Sequence, residues 1–116
     1  HYYYFKHSFM NIKVIIADDH QLFIDGIKSI LAKEIGLIII GEAHNGLALY
    51  KLIENGLLPD VVLTDIRMPV LDGVSVTKML KKEFPKIKVL ALSMYDQSID
   101  VIEMLYLLLS SIQRAF

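Results

Sequence analysis

The apolar positions change period repeatedly along the chain, and each change marks a new element. Ile12 to Ala17 is a continuous apolar run broken by one lysine, as expected of a strand buried on both faces. Leu22, Phe23, Ile27, Ile30 and Leu31 then recur at helical spacing, which predicts an amphipathic helix over about His20 to Glu34, ended by Gly36. Leu37 to Ala43 reads as a second strand. Leu47, Leu49, Tyr50, Leu52 and Ile53 predict a second helix, stopped at Gly56 and Pro59. Val61 to Thr64 is a third, very apolar strand, Val74 to Phe84 a helix closed by Pro85, and Ile87 to Leu92 a fourth strand. Asp96 to Leu105 predicts a fourth helix. Strict strand–helix alternation implies a parallel sheet with helices on both faces, because parallel strands need crossover connections. In such sheets ligands and chemistry gather at the carboxyl ends of the strands.

Composition narrows the class. A chain of 116 residues is long enough for one domain and too short for two. With 54% apolar residues, a single core forms without staples. There is no cysteine, which excludes a disulfide framework, a thiolate metal site and cysteine nucleophiles, and fits a reducing, cytoplasmic setting. The net charge of −1, with both signs interspersed, lacks the basic footprint of direct nucleic-acid binding. The apolar runs fall short of the ~20 residues of a membrane span. We read the chain as soluble. His1 to Phe9 carries three consecutive tyrosines, no usable period and no signal-peptide pattern. Met10 directly precedes the first strand. Residues 1–9 are therefore expected to be an expression remnant or a disordered N-terminal extension, and 10–116 a single domain.

Four residues stand at the predicted strand ends: Asp18 and Asp19 after the first strand, Asp65 after the third, and Ser93 after the fourth. They converge if those strands are neighbours. At ~4 to 5 Å and an effective dielectric of about 20, each like-charged pair costs about 3 to 4 kcal/mol. A cation relieves that repulsion. An all-oxygen site with open positions suits Mg2+, which fills its remaining coordination with water and phosphate oxygens. One carboxylate can then act as nucleophile towards a phosphoryl donor. Read singly, these residues have ordinary explanations. Asp19 could simply cap the first helix, and Asp65 could be a loop acid. Read together, they point to phosphate chemistry.

Three segments carry a family resemblance. V-I-I-A-D-D-H at Val14 to His20 resembles the acidic doublet of response regulator receiver domains. V-V-L-T-D-I-R-M-P-V-L-D-G at Val61 to Gly73 resembles their phosphoacceptor segment, and V-L-A-L-S-M-Y at Val89 to Tyr95 their switch-hydroxyl strand. The resemblance covers Met10 to about Leu105. It implies a flavodoxin-like α/β fold with five parallel strands in the order 2-1-3-4-5. It implies that Asp65 is phosphorylated by a sensor histidine kinase, and that Asp19 ligates Mg2+ directly. Asp18 would hold a metal-bound water, and the main-chain carbonyl of Arg67 would complete the protein ligands. Ser93 would be the switch hydroxyl and Tyr106 the switch aromatic. The protein would catalyse only its own phosphorylation and dephosphorylation. Its output would pass through a receiver–receiver dimer or an attached LuxR-type helix-turn-helix domain regulating transcription.

Other residues receive plainer roles. Pro69 and Gly73 shape the loop after Asp65, Asp72 caps the third helix, and His20 lies beside the metal or at the helix start rather than on it. His1, His7 and His44 have no partner at metal-site spacing.

The pattern breaks near the end. The family has a lysine three positions after the switch aromatic, and this sequence has Leu109. Lys86 and Lys88 fall at the wrong end of the fourth strand to replace it. The fourth helix would also run into the fifth strand at Leu105–Tyr106 without connecting residues, whereas such connections take about 2 to 6. Residues are therefore expected to be missing from the sequence near 105–110, the lysine among them. If none is missing, the alternative is a degenerate pseudo-receiver acting as an interaction module. A haloacid-dehalogenase-like, Mg2+-dependent aspartyl phosphatase is disfavoured because Arg67 stands where its second acid would be. A flavodoxin-like cofactor carrier is disfavoured because Asp18 and Asp19 would repel a flavin phosphate.

Overall fold

A computed structural model of the chain describes residues 11–34 and 36–92. The described elements run β1 (Ile12–Ala17), α1 (Gln21–Leu31), β2 (Leu37–Ala43), α2 (Gly46–Glu54), β3 (Val61–Asp65), α3 (Gly73–Glu83) and β4 (Lys88–Leu92). All strand pairings are parallel, in the order β2-β1-β3-β4. This is the described part of the expected order. The fifth strand, the fourth helix, Ser93, Tyr106, Leu109 and the segment 1–9 lie outside the described residues.

The continuous apolar runs of β1 and β3 follow from burial on two sides. Val14, Ile16, Val61 and Leu63 pack against Ile24, Ile27 and Leu31 of α1. Ile15, Ala17 and Val62 face the other way, onto Leu49 and Ile53 of α2 and Val76 and Leu80 of α3. The sheet is thus wound on both faces, and the direction of winding reverses between β1 and β3. That reversal opens a crevice at their carboxyl ends.

Two boundaries differ from expectation. Helix α1 begins one residue later and ends at Leu31, its last buried residue, rather than at Glu34. Among the described residues just beyond it, Ala32, Lys33 and Glu34, none is buried, and Ala32 N–H bonds back to Lys28 and Ile30. The N-cap is His20, not Asp19, and its side chain makes no capping hydrogen bond. Gly36 and Gly56, with φ of 92° and 103°, turn the chain out of α1 and α2, a backbone region in which glycine alone is unstrained.

Among the described residues no helix is long and apolar enough to cross a membrane.

Candidate metal and phosphoacceptor centre

Asp18 follows β1 directly and Asp65 is the last residue of β3, where it pairs with Leu92 of β4. Because β1 and β3 are neighbours in register, with Ala17 opposite Thr64, the two carboxylates meet at one edge. Asp18, Asp19, His20 and Asp65 each place one ligand atom within 4.8 Å of the others. Asp18 is 1% exposed and Asp65 6%, while Asp19 and His20 lie at the open rim of the same cluster. Lys88 opens β4 beside Asp60, at the opposite end of the sheet from Asp65, as the sequence implies.

Burial and the neighbouring charge of Asp18 push the Asp65 carboxyl above the ordinary carboxylate range, with a further push from Asp19. The N–H groups of Arg67 and Ile66 pull the other way. Arg67 N–H reaches Asp65 Oδ1 at 3.4 Å. Asp18 Oδ1 accepts the backbone N–H of His20 at 2.8 Å, but its buried Oδ2 has no hydrogen-bond partner. A buried acceptor left unmatched is costly unless a cation or a cation-bound water meets it. The donor set is dominated by carboxylate oxygen, which is the chemistry that holds Mg2+. The residues present therefore fit such an ion.

The loop after Asp65 is held from several sides. Gly73 N–H donates to Ile66 O at 2.8 Å, and Gly46 N–H to Leu71 O at 2.8 Å. A side chain at Gly73 would bring Cβ within 1.9 Å of the Asp65 carbonyl oxygen. Asp72 caps α3, accepting Ser75 N–H at 2.7 Å, as expected. One residue is strained. Val70 has φ of 70° at the centre of a tight turn closed by Leu71 N–H on Pro69 O at 2.7 Å. A β-branched residue rarely takes this conformation, and for a non-glycine residue it costs ~1–2 kcal/mol. Val70 is 76% exposed, so little packing offsets that cost. Val70→Asn is expected to stabilise the protein by ~1 kcal/mol. Urea unfolding should show a higher midpoint with an unchanged slope.

Over residues 14–110 the chain matches the family model described as the response regulator receiver domain. The chain belongs to that family. Its solved relatives include the receiver domain of NarL from Mycobacterium tuberculosis, 32% identical with a TM-score of 0.67. That match covers 90% of this chain and 78% of that one. The isolated receiver domain of RcsB from Salmonella enterica, solved with a phosphomimetic BeF3−, is 31% identical with a TM-score of 0.68 over 86% of this chain and 72% of that one. Among curated proteins, the transcriptional regulatory protein DegU of Brevibacillus brevis is 42% identical over 73% of this chain. The response regulator VraR of Staphylococcus aureus is 39% identical over 79%. The chain spans only 36% and 44% of these two relatives' lengths. It is thus a receiver domain of two-component response regulators with the flavodoxin-like fold, and the curated relatives it matches are longer regulators.

The receiver brings Asp18, Asp19 and Asp65 together, as the strand-end argument anticipated, and turns the Arg67 N–H towards Asp65. His20 stands at the start of α1, as expected, and also lies against both members of the doublet. Its position next to the doublet is the sequence signal for that contact.

Proposed function

We propose that Asp65 is the phosphoacceptor and takes a phosphoryl group from the phosphohistidine of a sensor histidine kinase. The observation that carries this reading is the buried, unpartnered Oδ2 of Asp18 beside Asp65 at the topological switch point. In this reading Asp19 and Asp65 ligate Mg2+, Asp18 ligates it through water, and the Arg67 carbonyl completes the protein set. When bound, the ion neutralises the pocket and the phosphoryl oxygens during in-line transfer.

The receiver's own groups do the rest. Burial and the charge of Asp18 raise the affinity of Asp65 for a proton, while the N–H groups of Ile66 and Arg67 favour its ionised, nucleophilic form. One Asp65 oxygen bonds to phosphorus as the bond from phosphorus to the donor's imidazole nitrogen breaks. The lack of a side chain at Gly73 lets the loop lie against the main chain of Asp65.

The remaining steps extend the same reading. Ser93, the residue after β4, would hydrogen-bond the acyl phosphate, and Tyr106 would turn inward behind it. The phosphoryl group adds about −1.5 to −2 charge and three strong acceptors, which shift the domain between inactive and active populations. The output is regulation of transcription in the cytoplasm, through a second receiver or an attached DNA-binding domain. RcsB, a similar protein, has been solved bound to promoter DNA with BeF3−. The domain is no enzyme towards other substrates, since the chemistry ends on its own carboxylate. In this reading residues 10–116 belong to the receiver, and 1–9 to an expression remnant or an N-terminal extension.

Mg2+ titration followed by thermal melting tests the metal set. The midpoint of wild type should rise with Mg2+, and the rise should be lost in Asp18→Asn and Asp19→Asn. An equal rise in wild type and both variants would contradict the assignment.

A further inference from the structure

His20 stands where the first turn of α1 meets the carboxylates. Its side chain does not cap the helix. Instead Nδ1 lies 3.1 Å from Asp18 Oδ1 and 3.0 Å from Asp19 Oδ1. The backbone bond from His20 N–H to Asp18 Oδ1 fixes the residue against the cluster. At these distances Nδ1 is paired with the carboxylates, a ring nitrogen of His20 falls within 4.8 Å of one oxygen each of Asp18, Asp19 and Asp65, and the buried, unpartnered Asp18 Oδ2 marks the same pocket as built for a cation. Mg2+ prefers oxygen and gains little from a nitrogen ligand. Octahedral transition-metal dications of the Ni2+ and Co2+ type gain from imidazole.

We propose that His20 makes this a mixed nitrogen–oxygen centre, which takes an imidazole-accepting transition-metal dication through Nδ1 in competition with Mg2+. A metal here would take the Nδ1 lone pair once the proton that Nδ1 shares with Asp18 and Asp19 has passed to solvent, leaving the ring's one N–H on Nε2. The proposal rests on the metal-site reading above and adds a selectivity residue to it.

Competition against Mn2+ tests it, with free Mn2+ read by electron paramagnetic resonance on the full chain. Ni2+ held elsewhere, for example by His1, His7 or His44, does not displace Mn2+ from this pocket. In His20→Ala and His20→Asn the Ni2+ needed to displace half the Mn2+ should rise ~10- to 100-fold relative to wild type. The Mg2+ requirement should change by less than about twofold in the same variants. Thermal melts check that both variants fold, which the exposure of the His20 side chain favours. An unchanged Ni2+ requirement, or equal changes for Ni2+ and Mg2+, would overturn the role of His20. Failure of wild type to hold Mn2+ at all would instead overturn the metal-centre reading beneath it.

Discussion

Asp65→Asn is expected to abolish phosphoryl uptake and, in Mg2+-free buffer, to raise the thermal midpoint. The first effect follows from losing the nucleophilic oxygen, since an amide cannot form the acyl phosphate. The second follows from electrostatics. Burial and Asp18 raise the folded-state pKa of Asp65 above its unfolded value. The folded state then binds more protons than the unfolded one, so stability falls as pH rises from the ordinary aspartate range through the raised value. Above that window the ionised group is a standing cost, and below it the cost vanishes. Asparagine removes it, for a gain on the order of 1 kcal/mol, or about 4–8 °C for a domain of this size. The gain should shrink at acid pH and also when Mg2+ neutralises the pocket in wild type. A midpoint for Asp65→Asn at or below wild type in Mg2+-free neutral buffer would contradict the repulsion argument.

Gly73→Ala carries the second large effect. Its Cβ would lie 1.9 Å from the Asp65 carbonyl oxygen and 2.9 Å from both Asp65 C and Ile66 Cα. These are backbone atoms of the loop that presents the phosphoacceptor, so no flexible side-chain end can move aside. A loss of ~3 kcal/mol is expected, from overpacking against backbone. What folded protein remains should bind Mg2+ more weakly, because the loop must shift at Asp65 itself. Gly26→Ala is the contrast. Gly26 sits inside α1, and a Cβ there meets nothing within 4 Å. That variant should be stabilised by ~0.5–1 kcal/mol through helix propensity alone. Urea unfolding of the pair separates glycine required by contact from glycine that is merely present. Equal, small effects in both would mean that the loop does not constrain Asp65.

The strands and the positions of the acids were legible because their causes are local. Burial of β1 and β3 on both faces writes continuous apolar runs, and the strand-end rule then singles out Asp18, Asp19 and Asp65 without any long-range information. Asp72 was legible as a cap because it directly precedes a helical period. The features that escaped reading all depend on contacts between distant segments or on backbone angles. Nothing in a one-dimensional pattern shows that Gly73 abuts the Asp65 carbonyl, or that Gly46 meets Leu71 across two elements. The left-handed Val70 is hidden for a similar reason, since valine is the residue least expected there. Helix α1 was drawn too long because Glu34 and Lys33 are acceptable helix formers, while none of residues 32–34 is buried. The N-cap of α1 fell to His20 because both acids before it turn into the pocket instead.

Phosphorylation of Asp65 is the central claim, and intact-mass measurement after incubation with a small phosphodonor tests it most directly. Wild type with Mg2+ should gain the mass of one phosphoryl group, Asp65→Asn should gain none, and wild type without divalent metal should gain none. Labelling that persists in Asp65→Asn, or that proceeds in wild type with all divalent metal chelated, would contradict the account.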